Sequence, residues 1–325
     1  MATPPLKLAQ SAEHHINLLR ERGMEVDENQ AMQWLYAVGY FRLSAYWYTA
    51  RVKDPVTGER ADRFESGTKF SDVVALYEAD RKLRTLIHDG VERVEVALRT
   101  RITELLCSKE PEDPTLYLRS EYFKPKFDHV GWLYTVFGRL SRSKSNAVAH
   151  YSKNYAGQFP LWVVAEVIDF SDLSRLFSGL GSKDQQCIAE SLGVFIDFEG
   201  LSENKKRRVM KSHPLASWLE QMSIVRNTCA HHARVWNETF VPASTTLRRD
   251  GNLTLLPPTS RNDSQNQSER VFGTLVFMAH LLRRISPGTT WPEKIASLLK
   301  DSFVPNPLVS LESMGIPDQW DQRTV

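Results

Sequence analysis

The sequence predicts an all-α, mainly helical protein. Three observations carry that prediction: apolar residues recur at three- and four-residue spacing over long windows, helix-start signals precede several of those windows, and only one short stretch reads as a hairpin. Asp27 with Gln30 three residues later has the form of a capping box and opens a helix that runs to Val38, where Gly39 interrupts it. An aromatic-rich segment follows over residues 40–48. Asp54 and Gly58 mark a turn between Val52 and Phe64, so residues 51–70 read as a short hairpin excursion. Ser71 is placed to cap the next helix, whose buried face is marked by Val74, Tyr77, Leu83, Leu86 and Ile87. After Gly90 the stripe resumes with Val91, Val94, Leu98, Ile102 and Leu105, as two long helices or one bent one. Pro111, Pro114 and Pro125 punctuate a loop region. Further helices are expected over residues 131–140, 161–180, 185–192, 213–236 and 269–285. Residues 241–266, rich in Pro, Thr, Ser, Asn and Gln, read as a long surface loop.

These elements divide into an N-terminal helical and aromatic extension over residues 1–70, a helical core over residues 71–300 with the inserted loop 241–266, and a tail over residues 301–325 packed on the core. A chain of 325 residues with 42% hydrophobic content can bury a core of that size. Three widely spaced cysteines, Cys107, Cys187 and Cys229, form no paired motif and suit a reducing compartment. The opening residues lack the apolar run of a signal peptide, and the longest apolar stretch, residues 271–285, is too short for a membrane span and carries His280, Arg283 and Arg284. A cytoplasmic protein with no membrane segment is therefore expected. The net charge of +2 is too small to identify a nucleic-acid binder, so such a role must rest on local patches.

The densest chemistry lies at Arg226, Asn227, His231 and His232, within one and a half turns of an amphipathic helix whose stripe is Leu215, Trp218, Leu219, Met222 and Val225. On a straight helix Arg226 and His231 stand roughly 140° apart and about 7 to 8 Å along the axis. Either the helix distorts between them, or two copies of the motif face each other across a two-fold axis. The R-N-x-x-x-H pattern resembles the signature of the HEPN superfamily. Four further blocks, at residues 38–48, 76–84, 91–100 and 235–237, stand in the order seen in Abi-like (abortive infection, AbiD/AbiF type) proteins, and the tail from Met314 to Trp320 is similar to that family's ending.

The resemblance implies a HEPN-like helical core and a metal-independent endoribonuclease acting as a homodimer, an abortive-infection or toxin-type effector of phage defence. RNA is then the substrate, a structured noncoding RNA is an implied regulatory partner, and no cofactor is needed. It places the active histidine at His231, with His232 supporting. The chemistry of the residues agrees: a histidine can move protons near neutrality, and an arginine fork can hold two phosphate oxygens. Asn227 can fix the local geometry. The same residues also fit an ion-pair network on a half-buried face. A zinc site built from Cys229, His231, His232 and His213 or Cys187 matches no usual ligand spacing. A non-catalytic RNA-binding module and a purely structural domain remain competing classes.

Residues 129–165 contain no Asp or Glu, while Arg139, Arg142, Lys144 and Lys153 alternate with Trp132, Tyr134, Phe137, Tyr151, Tyr155 and Phe159. Cations neutralise phosphate and aromatic faces stack on bases, which makes this the expected RNA contact. Packing of Trp132, Phe137 and Leu140 would leave a solvated basic loop instead. Lys205, Lys206, Arg207 and Arg208 form a second cationic cluster upstream of the motif. Glu95 and Arg99 are spaced for an ion pair that can brace the motif helix.

Overall fold

A computed structural model describes residues 6, 8–199, 201–256, 267–318 and 320–325. The opening residues 1–5, Lys7, Gln319 of the tail block and residues 257–266 of the expected loop lie outside the described residues. The fold is mainly helical, with one two-stranded antiparallel sheet among the described residues. The chain separates into two compact units, Met1–Leu83 with Ser297–Leu311, and Arg84–Ala296 with Glu312–Val325.

In the first unit, α1 (Ala12–Glu21) is capped by Ser11 and α2 (Glu28–Ala37) by Asp27, whose carboxylate accepts from the Gln30 N–H at 2.8 Å. The aromatic segment is a helix, α3 (Tyr40–Trp47), that buries Leu43, Tyr46 and Trp47. The hairpin pairs β1 (Arg51–Lys53) with β2 (Arg60–Phe64), and Asp54 accepts from the Val56 and Thr57 N–H groups in its turn. Tyr46 donates its hydroxyl to the fully buried carboxylate of Asp80 at 2.7 Å. The amide of Asn306 donates to the Asp72 carbonyl at 2.9 Å, which ties the segment Ser297–Leu311 to this unit.

Helix α4 (Phe70–Lys109) is one continuous helix of 40 residues. Gly90 does not break it, because that glycine answers a packing demand. A Cβ there would lie 2.6 Å from Met278 Cε and 2.9 Å from Trp291 Cε2. The Trp291 ring cannot retreat, since it is fully buried and its Nε1 donates to the Leu86 carbonyl at 2.7 Å. Gly90→Ala is therefore expected to destabilise the fold by about 1 to 3 kcal/mol through overpacking, against the roughly 1 kcal/mol by which alanine favours a helix. A urea midpoint at or above the wild-type value would remove this account of Gly90.

In the second unit, α5 (His129–Arg142), α7 (Leu161–Val167) and α8 (Phe170–Gly179) pack together, and α8 lies along α11 (Pro214–Ala230). The helix expected over 161–180 is broken because Asp169 and Asp172 form a reciprocal capping box at the start of α8. Residues Asn146–Asn154, part of the expected basic loop, fold as α6 behind a Ser145 cap. Next come α9 (Ser182–Ser191) and α10 (Glu203–Lys211). Beyond α11, α12 (Val271–Ile285) stacks Phe277 on Trp218 with ring centroids 4.4 Å apart, and α13 (Trp291–Leu298) and α14 (Leu311–Met314) complete the helices.

Residues 241–256 are more than a surface loop. Ala243, Thr245 and Leu247 alternate into the interior. Gln221 of α11, with no exposed surface, donates to the Val241 and Ser268 carbonyls and accepts from the Thr274 hydroxyl. No described helix is long and apolar enough to cross a membrane.

Candidate functional site

Helix α11 starts at His213, whose Nδ1 accepts from the Leu215 N–H at 3.1 Å, with Pro214 in the first turn. It does not run to Trp236 as its apolar stripe suggests. It ends at Ala230 in a Schellman motif: His232 N–H donates to the Cys229 carbonyl and Ala233 N–H to the Thr228 carbonyl. His232 occupies the left-handed position at φ 57°, where glycine is usual. A side chain there costs roughly 1 to 2 kcal/mol, so His232→Gly should raise stability by up to about 1 kcal/mol. An unchanged or lowered urea midpoint would show that the His232 side chain repays the strain through its own contacts.

The helix end separates the motif residues. Arg226 and Asn227 are half-buried on α11, while His231 and His232 are exposed on the terminal turn. Arg226 lines a cavity of about 370 Å3 together with His88, Glu92, Glu95 and Arg99 of α4. Its Nη1 donates to Asn227 Oδ1 at 2.9 Å, and no carboxylate oxygen of the described residues lies within 4.0 Å of the guanidinium. Of the cavity's carboxylates, Glu95 pairs with Arg99 and Asp89 with Arg93, while Glu92 makes no ion pair among the described residues. Burial raises the Glu95 pKa, and the charges of Arg99 and Arg226 oppose that shift. Arg99 also donates to the Ile168 carbonyl at 2.9 Å, so Glu95 and Arg99 brace α4 against the α7–α8 turn.

The residue that sequence reasoning missed is His88. It shares the cavity with Arg226, and its ring hydrogen-bonds to the Cys229 carbonyl at the end of α11. Burial, then the charge of Arg226, pushes its pKa down, with a smaller contribution from His232, and the Cys229 bond opposes them. His88 is therefore the neutral form at pH 7, with one ring nitrogen engaged as donor and the other an acceptor.

Asn227, one residue and about 100° further round the helix, faces a different recess against α8. His213, the suggested distal zinc ligand, is buried at the opposite end of the 17-residue α11, about 25 Å from His231. Cys229 is buried, and the described residues contain no cluster of three metal-ligating side chains. The zinc alternative thus lacks a ligand set among the described residues.

The cationic candidates divide. Arg139 is held by both Asp169 and Asp172, acids that lie just beyond the acid-free segment, so its charge is balanced inside the fold. Arg142, Lys144 and Lys153 are exposed and make no ion pair among the described residues. Trp132 is core, its Nε1 donating to the Asp172 carbonyl at 3.1 Å, whereas Tyr134 is 83% exposed on the same helix. In α10, Lys206 pairs with Glu203, while Lys205, Arg207 and Arg208 face solvent.

No curated protein and no solved structure shows significant similarity to the chain. A family model described as "Abi-like protein" matches residues 33–237, which include both α4 and the whole Arg226–His232 motif. With that match extending over more than half of its length, the chain belongs to the Abi-like protein family.

Proposed function

We propose that the chain is a metal-independent endoribonuclease of the HEPN type that serves in abortive infection. Family membership suggests the abortive-infection role. The observation that carries the ribonuclease reading is the Arg226 guanidinium: it stands on a cavity wall without an ion-pair partner among the described residues, beside a neutral histidine. No carboxylate of the described residues occupies the guanidinium, whose one hydrogen bond among them is to Asn227 Oδ1, which leaves N–H groups for two oxygens of a phosphodiester.

In this mechanism His88 accepts the proton of the RNA 2′-hydroxyl, and the freed oxygen attacks the adjacent phosphorus. Arg226 balances the charge that gathers on the phosphate. The bond to the 5′-oxygen breaks as a protonated histidine gives that oxygen its proton. His231 is assigned this second role, and Asn227 orients the Arg226 fork. His231 does not line the Arg226 cavity of its own chain. A homodimer that brings two α11 ends together supplies it from the second copy. Arg142, Lys144, Lys153, Lys205, Arg207 and Arg208 steer RNA, with Tyr134 as a stacking face. A structured noncoding RNA that occupies these surfaces is the proposed controlling partner.

The test is incubation of purified protein with total RNA in EDTA. Cleavage should persist, leave 2′,3′-cyclic phosphate and 5′-hydroxyl ends, and spare DNA, which lacks the attacking group. Loss of cleavage in EDTA with rescue by zinc overturns the mechanism. Salt-dependent RNA binding without any cleavage would favour the second reading, a module that grips phosphate and does not cut.

A further inference from the structure

The recess that Asn227 faces has a volume of about 610 Å3 and lies between α8, α11 and the segment before α5. That size falls within the usual range for small-molecule sites. Ser174 of α8 and Ser223 of α11 line it, and each is only 5% exposed. Among the described residues neither hydroxyl makes a hydrogen bond, although Ser217 and Thr228 on the same α11 both bond back to their own helix. Neither oxygen is sealed from solvent, so each hydroxyl reaches the recess and can bond a polar ligand there.

The rim is cationic. Lys126 is exposed and makes no ion pair among the described residues, and Arg175 reaches its nearest carboxylate, Asp128, only at 4.0 Å. Lys124 donates to Gln185 Oε1 at 2.8 Å and to the Ser178 carbonyl at 3.4 Å, leaving its third N–H available. Glu220 is the other carboxylate of the lining, so the rim carries three cations against two anions. Phe127 is set by a close approach to Gly179, where a Cβ would fall 2.6 Å from the ring, and gives the recess a fixed aromatic wall. The Asn227 amide bonds through its oxygen to Arg226 and keeps its NH2 group for a ligand, which joins the recess to the Arg226 cavity.

We propose that this recess seats the nucleotide next to the cleaved phosphodiester, with Lys126 and Arg175 on its phosphate and Ser174, Ser223 and Asn227 on the edge of its base. The choice of an RNA strand as the ligand rests on the ribonuclease reading. The binding test makes no use of cleavage.

A fluorescent single-stranded RNA with every ribose 2′-O-methylated cannot supply the nucleophile, so its affinity reports binding without cleavage, and the recess is read from the difference between wild type and variants. Lys126→Ala with Arg175→Ala should weaken binding by about tenfold at physiological salt and lower the salt slope by roughly one to two phosphate contacts. Ser174→Ala with Ser223→Ala should leave the slope unchanged, weaken binding by about threefold to tenfold and flatten the preference among the four homopolymers. Melting curves establish that each variant is folded. Wild-type affinity, slope and base preference in both double variants overturn the proposal. Titration with 5′-AMP and with inorganic phosphate distinguishes the source of the phosphate. If 5′-AMP binding depends on these residues and RNA binding does not, the recess takes a free nucleotide and the strand assignment falls. Absence of cleavage of unmodified RNA in EDTA would overturn the ribonuclease reading separately, whatever the binding result.

Discussion

Arg226→Ala is expected to lower the rate of RNA cleavage by about a hundredfold or more, because in the proposed mechanism its guanidinium balances the charge that gathers on the phosphate in the transition state. Arg226→Lys keeps the charge and loses the fork, so it should recover only part of that loss. His231→Ala should cost about as much, since the proposed mechanism gives it the proton transfer to the 5′-oxygen. His88→Gln gives the finest reading. It keeps a polar side chain beside the Cys229 carbonyl and abolishes titration, so the acidic limb of the pH–rate profile should flatten as the rate drops. Single-turnover cleavage of a defined RNA at several pH values measures all four. Wild-type rates in both Arg226→Ala and His231→Ala would move the active site elsewhere, and an unchanged acidic limb in His88→Gln would remove His88 from the chemistry.

A comparably large effect is expected on stability in acid. His213 is 4% exposed and burial lowers its pKa to about 4, from 6.5 for the ordinary side chain. The unfolded chain therefore binds a proton that the folded chain refuses between those values. The contribution of this residue is complete above pH 6.5 and is lost as the pH falls towards 4, amounting to roughly 3 kcal/mol. Protonation would also remove the Nδ1 acceptor that caps α11. His213→Asn keeps a capping oxygen and does not titrate. Its urea midpoint should decline less than that of the wild type between pH 7.5 and pH 5, and parallel declines would show that other groups govern acid unfolding.

Much of this architecture was legible in local pattern. Asp27 and Gln30 announced α2, Asp54 and Gly58 announced the hairpin turn, and the apolar stripes located α4, α11 and α12. What was hidden depends on distant partners. Gly90 resembles a break until Met278 and Trp291 are seen against it. Arg139 resembles an RNA contact until Asp169 and Asp172, outside its own segment, close on it. Residues 241–256 have the composition of a loop, yet their alternate side chains are buried and Gln221 fastens them. The Asp169–Asp172 box was readable and outweighs the continuous apolar run across it. In the candidate site, Arg226, Asn227 and His231 announce themselves by proximity in sequence. His88 carries no local signal, because only the packing of α4 against the end of α11 gives it a charged neighbour.

Gln221 has a consequence for how the chain tolerates change in length. One amide group holds the carbonyls of Val241 and Ser268, so the two roots of the intervening segment are clamped together by α11 itself. Closing a loop from fixed roots grows costlier only slowly with length, by about 0.6 kcal/mol for each doubling. That small cost applies only where the segment makes no contacts of its own: Ser244 bonds to Ser217 and Trp218 of α11, so a change of length beside the Val241 root reaches the motif helix directly, as Gln221→Leu would without shortening anything.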